Sequence, residues 1–112
     1  MPLLKVQTNQ EVADKKKIMK EATDLLSRVL SKPSQYIMVI IEDNANMMFA
    51  ASGKPLAYVE LKSIGLPENQ TSNISAEICN FVEQKLNVPQ NRIYIEFADA
   101  KRSMFGWNGG TF

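Results

Sequence analysis

Position 2 of the chain is proline, and a small residue there favours removal of the initiator methionine, leaving a secondary amine at the start of the polypeptide. Free α-amines titrate at about 7.7–8.0, and a prolyl amine is intrinsically more basic. Burial and a neighbouring cation both disfavour its charged form and bring it towards neutrality. A base in that range accepts a carbon-bound proton at physiological pH. Other residue types narrow the field. The chain has no histidine, so it offers no imidazole for a serine triad or a histidine zinc site. Its single cysteine, Cys79, forms neither an internal disulfide nor a cysteine metal cluster, and reads as a small core residue. There is no phosphate-binding glycine loop, dinucleotide fingerprint or paired-cysteine redox motif. No cofactor and no metal are expected.

The elements that must position such an amine come next. With 112 residues a single domain is expected, spanning 1–112. Thirteen Lys and Arg against 12 Asp and Glu give a net charge of +1, which argues against a dedicated nucleic-acid binder. No segment approaches the ~20 apolar residues that cross a bilayer, and the amino terminus lacks the pattern of a secretory signal. The expected location is the cytoplasm, with export only by an unconventional route.

The pattern contains an internal echo. An apolar strand (3–7), a helix (about 13–30), Pro33-Ser34-Gln35 and a strand (36–41) are followed by a strand (56–63), a helix (about 75–86), Pro89-Gln90-Asn91 and a strand (92–97). The period is about 55 residues, with pseudo-repeats of about 2–54 and 55–112, too long and too few for a solenoid. Asp43 and Asp99 close the two halves at equivalent places. Ile18, Ala22, Leu25, Leu26, Val29 and Leu30 form one helical stripe, as do Ile74, Ile78, Phe81, Val82 and Leu86. A right-handed helical crossover makes the two strands of each repeat parallel. The expected fold is α+β: a two-layer sandwich of two βαβ repeats, with a four-stranded mixed sheet, two helices on one face and short edge strands. Residues 47–50 read as one such short strand, and 65–73 as a polar loop.

Alternation places Leu4, Val6, Ile37, Val39, Ile41, Val59, Leu61, Ile93, Ile95 and Phe97 on the helix-covered face. Leu3, Tyr36, Met38, Ile40, Tyr58 and Tyr94 then fall on the other face, among Lys5, Glu60, Lys62 and Glu96. That surface is too apolar for a monomer with only two helices, so self-association is expected. The tail, Met104 to Phe112, alternates aromatic and turn residues and needs a surface to pack on. Lys32 has an ordinary reading as a lysine at a helix carbonyl end, and Tyr94 as a strand aromatic. Lys15-Lys16-Lys17 reads as a solvated helix face.

Pro2 opening a strand, Ser31 to Ile37, Ser63-Ile64-Gly65, Arg92 to Ile95, and Gly106-Trp107-Asn108 followed by Thr111-Phe112 stand in an order and spacing that resembles the macrophage migration inhibitory factor family of the tautomerase superfamily. The resemblance covers essentially the whole chain. It implies a homotrimer with active sites at subunit boundaries, and phenylpyruvate-type keto–enol tautomerase activity with Pro2 as catalytic base. It implies that Lys32 holds the substrate carboxylate or keto oxygen, that the Ile64 N–H binds the carboxylate, and that Tyr94 arrives from an adjacent subunit. Tyr36, Phe105, Trp107 and Phe112 are then expected to line an apolar slot for an aryl ring. Glu96 and Phe105 depart from the family pattern, where asparagine and a smaller aliphatic are usual. The family's Cys-x-x-Cys element is replaced by Leu56 and Val59, so no thiol oxidoreductase activity is implied. Two other functions stay open: a cytokine-like trimeric interaction protein with a vestigial pocket, and hydration or dehalogenation of unsaturated acids with Glu96 activating water.

Overall fold

The computed structural model describes residues 1–112. Its elements are β1 (Pro2–Thr8), α1 (Lys15–Leu30), β2 (Met38–Glu42), β3 (Ala57–Ile64), α2 (Thr71–Leu86), β4 (Ile93–Ala100), β5 (Gly106–Trp107) and β6 (Gly110–Thr111). One four-stranded sheet has the order β2-β1-β3-β4, and β5 and β6 form a separate small hairpin. β1 runs parallel to β2 and β3 parallel to β4, whereas the central β1–β3 pair is antiparallel. Each repeat is therefore a βαβ unit, and the two join back to back at the sheet centre.

Period-two alternation decides which face is covered. Leu4, Val6, Val59 and Leu61 are buried beneath the helices, where Ile18, Ala22 and Leu26 of α1 meet Ile74, Ile78 and Val82 of α2. Truncating one of these buried leucines to alanine costs about 2–5 kcal/mol. Across the top of this layer Arg28 pairs with Glu77, and Lys85 with Glu21. No element of the chain covers the opposite face, and it leaves Met38 and Tyr94 55% and 64% exposed. The charges there meet along the sheet, as in Lys5–Glu42 and Lys62–Glu60.

The structure differs from the sequence expectations in three segments. Residues 47–50 form no strand, because Ala50 and Ala51 adopt positive φ (53° and 56°) and turn the chain back into one isolated Phe49–Ser52 bridge. Arg92 holds this turn by donating to the carbonyls of Phe49, Ser52, Lys54 and Pro55. Residues 65–73 are not all loop: a 3-10 turn at Glu68–Gln70 runs straight into α2, which starts at Thr71. Tyr36 belongs to a 3-10 turn (Ser34–Tyr36) rather than to β2, since the chain leaving Pro33 must turn before it can pair.

Candidate active site

Topology gathers the candidate residues before any side chain is considered. α1 returns the chain to the end of the sheet at which β1 began, so Lys32 arrives beside the start of β1. β3 is antiparallel to β1 and finishes there, with Pro2 opposite Ser63. β4 is parallel to β3 and finishes there too, pairing Ser63 with Asp99 and Ile64 with Ala100. One edge of the sheet thus collects Pro2, Lys32, Ser63, Ile64 and everything after Ala100.

Lys32 is fixed from both sides. α1 ends at Ser31 in the left-handed conformation, and the N–H of Lys32 donates to the Ser27 carbonyl at 3.2 Å. The Ser27 hydroxyl donates in return to the Lys32 carbonyl at 2.6 Å. The half-buried ammonium then reaches across and donates to the Ile64 carbonyl at 3.3 Å. Beside it lies a polar recess of about 290 Å³, lined by Ser31, Lys32, the buried Ser63, Gly65, Leu66 and Gln70 among others.

The loop that follows Ile64 is anchored by a residue that motif reading did not place in the site. Asp99 Oδ1 accepts from the N–H groups of Gly65 (2.9 Å) and Leu66 (3.0 Å), the former in the left-handed region at φ +73°. The first repeat uses the same device: Asp43 Oδ2 accepts from the Val12 N–H at 3.0 Å and from Lys15 at 2.9 Å. These bonds, the backbone one foremost, hold the Asp43 carboxyl below its ordinary range. The matched positions of the two aspartates were visible in the sequence as a repeat marker; their role as loop anchors was not.

The tail folds back on Tyr36. Trp107 and Phe112 stack with ring centroids 5.4 Å apart, and both meet the Tyr36 ring edge-on at 5.7 and 6.0 Å. Phe105 meets Phe112 at 6.2 Å but lies one ring away from the small cavity this cluster encloses. That cavity, about 130 Å³, is lined by Met1, Tyr36, Ile37, Met38, Trp107 and Phe112 among others. Met1 therefore forms part of the wall of this aromatic cavity. A larger open groove of about 510 Å³, along α1 and the edge of β2, shares no residue with either recess.

The electrostatics at this end are one-sided. Burial lowers the pKa of the amino-terminal ammonium on Met1, and the positive charges of Lys32 and then Arg102 lower it further. Arg102 was not among the expected site residues; it sits in an unpatterned tail, and no spacing marks it.

Tyr94 and Glu96 are not brought to this edge. Tyr94 is the second residue of β4 and pairs with Tyr58, five residues along β3 from Ser63, a separation of about 17 Å at the usual rise per residue. It packs instead against Phe49 at 4.9 Å, on the uncovered face. Glu96 is exposed and pairs with Glu60, also short of the site edge. Neither side chain reaches Pro2 of its own chain.

A family model described as macrophage migration inhibitory factor matches residues 1–112. The macrophage migration inhibitory factor homolog of Trichinella spiralis is 33% identical over 114 aligned residues, covering 100% of both chains. Among solved structures, the macrophage migration inhibitory factor homologue from Prochlorococcus marinus superposes with a TM-score of 0.94 at 38% identity, covering 98% of each chain. The Trichinella spiralis structure superposes with a TM-score of 0.93 at 31% identity, covering 98% of this chain and 99% of its own.

Proposed function

The chain belongs to the macrophage migration inhibitory factor family and has the tautomerase-superfamily fold, and from that premise we propose that it is a keto–enol tautomerase of phenylpyruvate-like 2-keto acids, with Pro2 as general base once Met1 is removed. One observation carries the reading. Pro2, the buried first residue of β1, lies opposite Ser63 at the end of the sheet where the Lys32 ammonium donates to the Ile64 carbonyl, and there burial and positive charge hold the amine of Met1 below its ordinary pKa. Loss of Met1 moves the terminal amine to buried Pro2 and removes one wall residue of the aromatic cavity in the same step.

In this mechanism the neutral Pro2 nitrogen takes a proton from C3 of the keto acid. The C3–H electron pair becomes the C2–C3 double bond, and the carbonyl electrons move to the keto oxygen, which is protonated from solvent to give the enol. Negative charge grows on that oxygen in the transition state, so the Lys32 ammonium stabilises the transition state more than the ground state. The Ile64 N–H holds the carboxylate, and Tyr36, Trp107 and Phe112, with Phe105 behind them, receive the aryl ring. Tyr94, and Glu96 near it, belong to the site only in an assembly, so the reading includes a homotrimer in which an adjacent copy supplies them. The uncovered apolar sheet face supports association. Residence in the cytoplasm is part of the reading; no helix is long and apolar enough to cross a membrane.

The test is enol-to-keto conversion of phenylpyruvate by the processed protein and by Pro2→Ala. The expected result is a fall in kcat/KM of at least about tenfold, given the usual worth of a positioned base. Equal rates in the two proteins remove Pro2 as the base, and absence of turnover in both leaves an interaction protein.

A further inference from the structure

The end of α1 is built differently from the end of α2, although the two halves of the chain otherwise repeat. At α2 the chain leaves the helix through Asn87 in the left-handed conformation (φ 60°), and the Asn87 N–H donates to the Glu83 carbonyl at 3.1 Å. Asparagine is one of the few residues with a side chain that visits this conformation readily. The next residue, Val88, is fully buried and belongs to the core. The corresponding residues of α1 are Ser27, Ser31 and Lys32. Serine carries a Cβ that the left-handed region disfavours, and Ser31 nonetheless sits there at φ 53° and ψ 46°. Lys32 is only half-buried and lies outside the core cluster. Neither the preference of Ser31 nor the core therefore fixes the direction in which the chain leaves α1.

Ser27 supplies what both lack. Its carbonyl accepts from the N–H of Ser31 and from the N–H of Lys32, the latter at 3.2 Å, and its hydroxyl donates to the Lys32 carbonyl at 2.6 Å. Three hydrogen bonds from one residue hold the two that follow the helix. In α2 only the first of the three has a counterpart. The Val88 N–H makes no bond to the Glu83 carbonyl, and Glu83, in the place of the serine, accepts from the Gln90 side chain at 3.0 Å.

The difference falls at the residue that the site uses. The Lys32 ammonium reaches the Ile64 carbonyl at 3.3 Å, at the end of the sheet where Pro2 begins. A small change of backbone direction at the foot of a long side chain becomes a large displacement at its tip, and a misplacement of about 1 Å at a reacting centre costs on the order of 100-fold in rate. We propose that Ser27 is a positioning residue for Lys32: its hydroxyl holds the left-handed exit through Ser31 in the one conformation that carries the ammonium to the site. The inference rests on the tautomerase reading and adds to it a residue that touches no substrate. Ser27 acts through Lys32 alone, so its hydroxyl matters to catalysis only while that ammonium is present.

The test is a double-mutant cycle in phenylpyruvate ketonisation by the processed protein, comparing wild type, Ser27→Ala, Lys32→Met and the pair, with a thermal melt of each. Alanine is the better helix former, so α1 itself is kept in Ser27→Ala. The expected result is that Ser27→Ala lowers kcat/KM by about fivefold, the equilibrium worth of one intramolecular hydrogen bond, and that the same substitution has no further effect in Lys32→Met. Ser31→Gly removes the penalty on the left-handed exit and is expected to restore part of the loss in Ser27→Ala. Wild-type kcat/KM in Ser27→Ala, an equal fall with and without the lysine, or no recovery with Ser31→Gly overturns the inference and leaves the tautomerase reading standing. A Lys32→Met protein as active as wild type overturns the role of Lys32, and absence of turnover by wild type overturns the tautomerase reading itself.

Discussion

Lys32→Met separates the chemistry of the site from its stability, because the two effects differ in size. The only side-chain bond that Lys32 makes is the 3.3 Å donation to the Ile64 carbonyl, from a half-buried position. A bond of that length at a wet edge contributes at most about 1 kcal/mol, or roughly 4 °C of melting temperature for a domain of this size. The backbone clamp from Ser27 to Lys32 does not involve the side chain and survives the change. Catalysis loses more. A charge-assisted bond to the carboxylate or the developing enolate is worth about 1.5–3 kcal/mol, which corresponds to roughly 10- to 150-fold in kcat/KM. The pH profile moves as well. Lys32 helps to lower the amine pKa, so its removal raises that pKa, and the acid limb of kcat/KM moves to higher pH while burial and Arg102 keep part of the effect. The assay is phenylpyruvate ketonisation across pH, run beside a thermal melt. A loss of less than threefold in kcat/KM, or an acid limb that stays in place, refutes the assignment.

The remaining expectations concern the anchors and the lone thiol. Asp99→Ala strands the Gly65 and Leu66 N–H groups and is expected to cost about 1–3 kcal/mol in urea unfolding and to raise KM for phenylpyruvate; Asp99→Asn keeps one acceptor oxygen and recovers most of both. Equal behaviour of the two variants contradicts the anchoring role. Burial pushes the Cys79 thiol pKa up, with Glu83 adding to the effect and the Ser75 hydrogen bond opposing it. The thiolate is therefore scarcer at neutral pH than in an unfolded chain, and alkylation by iodoacetamide is expected to be slower in the native protein than in urea. A native rate equal to the unfolded one contradicts this.

Most of the fold was legible because burial follows period. The stripes of α1 and α2 and the alternation of β1 and β3 fixed the layers, and the echo between the halves fixed the parallel pairing within each. The errors lie where period carries no signal. Thr71, Ser72 and Asn73 offer no apolar residue before Ile74, so periodicity gives no sign of the first turn of α2. Met47 to Ala50 has strand-forming side chains, but the left-handed pair Ala50–Ala51 and the Arg92 clamp bend it into a turn. The site was legible in part. Pro2, Lys32 and Ile64 were expected together, and the crossover topology accounts for why they meet. The same topology leaves Tyr94 near the far end of β4 and Glu96 midway along it, both short of the site edge of their own chain. Asp99 is visible in the sequence only as a repeat position, and its bonds to the Gly65 and Leu66 N–H groups leave no further pattern for a linear reading to detect.

The base itself is open to direct observation. Titration of processed protein labelled with ¹⁵N-proline, followed by NMR, reads the protonation of the Pro2 nitrogen without any substrate. The account predicts that it loses its proton well below the range of an ordinary prolyl amine, and that the midpoint rises in Lys32→Met. A Pro2 nitrogen that titrates like that of a free peptide, or a mature chain that still begins with Met1, contradicts it.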